Sequence, residues 1–123
     1  MPLLLPYFKF NPTDWLTSEK IALMELHQIG AYIILLAHCW TQETCTLPHD
    51  ETALKKLCQW DDQRHGTFDP VQACFQMGKK GGRVTNPRLY REWIAAQARA
   101  AERRDSGKRG AQVKREQTPR TRR

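Results

Sequence analysis

Neither a Cys-x-x-Cys pair nor a His-x3-His pair occurs in this 123-residue sequence, so the ligand spacing of a zinc finger or ribbon is missing. There is no apolar run long enough for a bilayer either. The longest, Ile29 to Trp40, is interrupted by His38 and falls short of the ~20 residues a spanning helix needs. The opening "MPLLLPYFKF" carries no positive leader and no small-residue cleavage site, which predicts no signal peptide and a cytoplasmic protein. Gly78-Lys79 and Gly107-Lys108 lack the Ser/Thr and the glycine spacing of a phosphate loop, and Gly-x-Ser-x-Gly is absent. Asp61-Asp62 is a carboxylate pair without a third ligand at a useful spacing, and the four histidines are scattered. These absences predict a protein that is not an enzyme, with no metal, no cofactor, no small-molecule substrate and no membrane partner.

Cysteine is sparse. Cys39, Cys58 and Cys74 fall in apolar-periodic stretches, where a free thiol behaves as a small hydrophobe, so buried thiols are expected for the set that Cys45 completes. A zinc site or a disulfide is the less favoured alternative.

Acidic residues are nearly missing from the last third. Residues 1–78 hold five Lys/Arg and nine Asp/Glu, a net charge of −4, whereas residues 79–123 hold fifteen Lys/Arg and four Asp/Glu, a net of +11. An acidic body joined to a basic arm points to a polyanion, nucleic acid first and an anionic membrane surface second.

Periodicity divides the chain. "PYFKFNPTDWL" alternates apolar and polar residues and turns at Asn11-Pro12, an extended lead-in whose aromatic side chains pack on the body. "TSEKIAL" offers Thr17 or Ser18 as the cap of a short helical turn. Glu25 to about Gln42 is the strongest helix, apolar on nearly all sides and therefore central. Gly30 within it costs ~1 kcal/mol against Ala, which predicts a neighbouring backbone in close approach. "TLPHDETALKKLCQW" is a turn and a helix, with Asp50 or His49 at its start. After the polar break "DDQRHGT", Phe68, Val71, Cys74 and Phe75 form the stripe of a third helix.

"MGKKGGRVTNP" then reads as a hairpin, with Gly78, Gly81 and Gly82 supplying the turn. Asn86-Pro87 starts the last helix: Asn caps free N–H groups and Pro at the first position lacks one. That helix is expected to end near Arg104, leaving residues 105–123 as a disordered basic tail behind a domain of residues 1–104. The expected fold is mainly α with a small β-hairpin, in the order helix-helix-helix-hairpin-helix of a winged-helix-like domain. Its wing would bring Lys79, Lys80 and Arg83 to DNA phosphates, joined by Arg88 on the last helix and by Lys108, Arg109, Lys114 and Arg115 in the tail. Arg64, Gln72 and Gln76 on the third helix are the candidates for base readout, although Asp61, Asp62 and Asp69 stand nearby. The blander reading gives the wing lysines a role in protecting an edge strand and makes the tail a solubilising one.

"PYFKFNPTDWL", "IGAYIILLAHCW", "TLPHDETALKKL" and "GGRVTNPRLYREW", with "SGKRGAQVKRE" after them, resemble the YdaU-like family of prophage-associated bacterial proteins over about residues 6–100. Glu25-Leu26, where relatives carry a capping Ser or Thr, and His49, where an acid is common, depart from the pattern. The family resembles the N-terminal domains of phage replisome organisers. The resemblance implies a part in phage DNA replication, with double-stranded DNA and a helicase loader or replicative helicase as partners. A protein–protein adaptor in the same locus and a prophage transcriptional regulator are the alternatives.

Overall fold

The computed structural model describes residue 3, residues 5–78 and residues 81–117, with side chains described as far as Gly110. Seven helices and three short strands are found among them: α1 Pro12–Thr17, α2 Glu19–Ala22, α3 Leu26–Thr41, β1 Leu47–Pro48, α4 Glu51–Leu57, α5 Asp62–His65, α6 Asp69–Gln72, β2 Gln76–Met77, β3 Arg83–Thr85 and α7 Pro87–Gln117. The fold is mainly helical with a small antiparallel sheet, compatible with a winged-helix-like description.

Local chemistry explains most element starts. Ser18 caps α2, and Asp50 caps α4 by accepting from Thr52 N–H at 3.1 Å. Helix α3 begins without Ser or Thr; instead the Glu25 backbone N–H donates to Gln28 Oε1 at 2.8 Å, half of a capping box. Its length then carries Ala31, Leu35, Leu36, Cys39 and Trp40 into the core, where α4, α6 and α7 pack against it. Leu35, Cys39, Cys45, Leu47, Leu54 and Val71 are sealed from solvent.

Several expectations are corrected. Asn11-Pro12 is the cap and first residue of α1, not a simple turn, and Asp14 N–H donates to Asn11 Oδ1 at 3.1 Å. The third helix is a single turn, Asp69–Gln72, after which the chain continues with i→i−3 bonds such as Cys74 N–H to Val71 C=O. Its apolar stripe is nonetheless buried. The polar break before it contains α5, capped by Asp61 and closed by Gly66 at φ 73°. A Cβ on Gly30 would meet nothing within 4 Å, so close backbone approach does not account for that glycine. Leu47-Pro48, expected as turn, is a strand that completes the order β1-β3-β2.

Helix α7 runs well past Arg104, so residues 105–117 are helical rather than the disordered tail expected. No proline intervenes before Pro119 and Arg, Lys, Glu and Gln favour a helix there, against a cost of ~1 kcal/mol each for Gly107 and Gly110. Among the described residues no helix is long and apolar enough to cross a membrane.

Candidate nucleic-acid interface

The hairpin and the last helix are joined by a corner that Asn86 controls. Leu89 N–H donates to Asn86 Oδ1 at 3.0 Å, while Asn86 Nδ2 donates to the Cys74 carbonyl at 2.9 Å and the Tyr32 hydroxyl at 3.1 Å. One side chain thus caps α7 and ties its start to α3 and to the residues before β2. Burial, reinforced by the Cys74 thiol, pushes the Tyr32 hydroxyl up to about 12.

The strand side of the corner is fixed at β1. Arg83 donates from Nε to Thr46 Oγ1 at 3.0 Å and from Nη2 to the Thr46 carbonyl at 3.1 Å. The Thr85 hydroxyl donates to the Cys45 carbonyl at 2.7 Å, and the Cys39 thiol donates to the same carbonyl at 3.2 Å. That carbonyl belongs to a residue at φ 54°, unusual for a side-chain-bearing residue and here held from two sides. All four cysteines are free and buried. Hydrogen bonding between the thiols, chiefly, lowers Cys39 and raises Cys45, and burial raises Cys58 and Cys74.

Between the hairpin and α7 lies a groove of about 1110 Å³. Met77 and Arg83 line it from the sheet, Tyr90, Arg91 and Trp93 from α7, and Glu43 from the loop after α3. The Tyr90 and Trp93 rings lie 6.1 Å apart at 23°. Lys108 and Arg109 follow Tyr90 and Arg91 by five turns of α7, so they project from the same side about 27 Å further along the axis at ~1.5 Å per residue. Both are exposed.

The other predicted residues are placed differently. Arg88 faces away from the groove and pairs with Asp14 of α1, which leaves it partly neutralised. Lys79 and Lys80 lie outside the described residues; Lys114 and Arg115 are on α7, but their side chains lie outside them too. Arg64, Gln72 and Gln76 sit on α5, α6 and β2 respectively, so they do not form the single helix face expected for base readout. The reason is the shortness of α6, which ends before Gln76. No cluster of three or more His, Cys, Asp or Glu suited to a metal ion occurs among the described residues.

Sequence reasoning missed Tyr90, Arg91, Met77 and the Thr46 clamp. "RLYREW" contained a usable signal, since Tyr90 and Arg91 follow the buried Leu89 on a helix and must point elsewhere. The Arg83–Thr46 contact joins residues far apart in sequence and had no local signature. No curated protein and no solved structure matches the chain. A family described as "Protein of unknown function (DUF1376)" matches residues 6–93, most of the chain, and this protein belongs to that family.

Proposed function

We propose that this protein binds DNA through the side of the molecule formed by the hairpin, the groove and the exposed cations of α7. The observation that carries the reading is that Arg83 and Arg91 line one groove, while Lys108 and Arg109 extend the same side along α7. Along the sequence the charge is divided, net −4 before residue 79 and +11 after it, and the basic part is where a phosphate polymer would be attracted, although Glu43 of the acidic part also lines the groove. Lys79 and Lys80, which follow the groove residue Gly78 in sequence, add two charges. The resemblance to YdaU-like prophage proteins supports a role for this binding in a phage replication module, where the body would face a helicase loader.

A second reading, the adaptor, is favoured by a different observation. Leu16, Leu23 and Leu26 are 76%, 78% and 84% exposed on the acidic helical part, a surface suited to a protein partner.

Fluorescence anisotropy on labelled DNA, repeated between 50 and 200 mM salt, tests the first reading. With about six phosphate contacts, affinity falls by ~10³ across that range. Truncation after Arg104, together with Lys79→Ala, Lys80→Ala and Arg91→Ala, abolishes most of the binding. Full affinity in that variant would place the DNA elsewhere, and no binding by the full chain at low salt would leave the adaptor.

A further inference from the structure

Resting on the DNA-binding reading, we infer that the groove between hairpin and α7 takes an unpaired DNA strand in preference to an intact duplex. Its lining mixes two guanidinium groups with aromatic, apolar and uncharged polar surface: Arg83 and Arg91 beside Met77, Tyr90 and Trp93, with Glu43 as the one acid among the described residues and threonines and glutamines from the end of α3 and the sheet. Met77 is 52% exposed on a two-residue edge strand, where neither core packing nor solubility calls for it. Tyr90 is half-buried, and Trp93 behind it is 8% exposed, so the Tyr90 ring is supported from one side by the Trp93 ring.

A duplex offers phosphates on a convex surface and keeps its base faces stacked inside. It can satisfy cations on a ridge, yet it has little to place against an apolar, aromatic concavity. An unpaired strand offers both chemistries at once: base faces for the rings and the thioether, and phosphates for the arginines. Arg83 suits the second task. Two of its N–H groups are engaged by Thr46, which fixes the guanidinium plane, and the donor fork has five in all. The volume, about 1110 Å³, lies just above the ~300–1,000 Å³ of small-ligand pockets and suits more than one base. Lys108 and Arg109, about 27 Å further along α7, would follow the backbone as it leaves the groove.

The test uses the full chain and three fluorescein-labelled probes at low salt: a dT12 oligonucleotide, a mixed-sequence single strand, and the duplex of that strand. Both single strands are expected to bind at least tenfold more tightly than the duplex. Tyr90→Ala is expected to weaken single-strand binding by roughly five- to hundredfold, the range of one lost stacking contact, with duplex binding changed less than twofold. Met77→Ala, at an exposed position, gives the same pattern in a smaller measure and serves if Tyr90→Ala unfolds, which circular dichroism reports. Duplex binding as tight as single-strand binding, or equal losses on both probes, overturns the inference while leaving the DNA-binding reading intact. Absence of binding to every probe overturns both.

Discussion

Replacing Asn86 by Ala is expected to be among the most damaging single changes outside the apolar core. Three interactions are lost together: the cap on Leu89 N–H at 3.0 Å, and the donations to the Cys74 carbonyl at 2.9 Å and to the Tyr32 hydroxyl at 3.1 Å. The cap alone contributes about 1 kcal/mol. Removing the donor from a buried carbonyl adds ~1–3 kcal/mol, because the site, 8% exposed, admits little water in its place. The total is about 2–4 kcal/mol, and at about 4 °C per kcal/mol, between the values for smaller and larger domains, Tm falls by roughly 8–16 °C. Asn11→Ala supplies the control, since the same Asn-Pro pair starts α1 with one exposed bond to Asp14 N–H. Its cost is expected to be ~0.5–1 kcal/mol. Urea denaturation followed by circular dichroism measures both. Equal losses from the two substitutions would refute the idea that Asn86 acts as a three-way tie rather than a simple cap.

Gly30→Ala should raise stability by ~0.5–1 kcal/mol in the same assay, because the added methyl meets nothing within 4 Å and the glycine entropy is removed; a loss would mean that α3 is crowded there after all. Tyr32 makes stability depend on alkaline pH. With the folded value raised to about 12 from an ordinary ~10, its contribution is intact below pH ~10 and is lost as pH climbs towards 12. Subtracting the pH profile of Tyr32→Phe isolates that loss from the buried thiols, and identical slopes for the two proteins would contradict it. All four cysteines are expected to resist a thiol-specific reagent such as DTNB in the native state and to react in denaturant; rapid native labelling of Cys39 would show that its lowered pKa is matched by access.

Legibility differed by element. The central helix was readable because its apolar positions repeat over many turns, and its observed limits, Leu26–Thr41, fall inside the expected ones. The hairpin was readable from its glycines and the last helix start from Asn86-Pro87, whose capping chemistry is local. The identical Asn11-Pro12 reads as a turn because it ends an alternating stretch; α1 is short, and its apolar stripe is too brief to register. The third helix failed for the converse reason. Phe68, Val71, Cys74 and Phe75 fit a helical stripe, yet turns with i→i−3 bonds bury the same side chains, and periodicity cannot tell the two apart over eight residues.

The candidate site divides similarly. Charge is a property of composition, so the concentration of cations beyond residue 78 was visible without coordinates. Which of them share a side was not. Arg88 is turned to Asp14 and Arg83 to Thr46 by contacts spanning 74 and 37 residues of sequence, and no local rule encodes such pairings. The groove itself exists because β3 leads directly into α7 at Asn86, and the angle of that corner is set by Tyr32 and Cys74. The sequence alone determined the caps, the central helix and the sign of each half, all of which depend on neighbours within a few residues. Tertiary structure alone decided where the charges point and what concavity they border, because orientation depends on packing between segments distant in the chain.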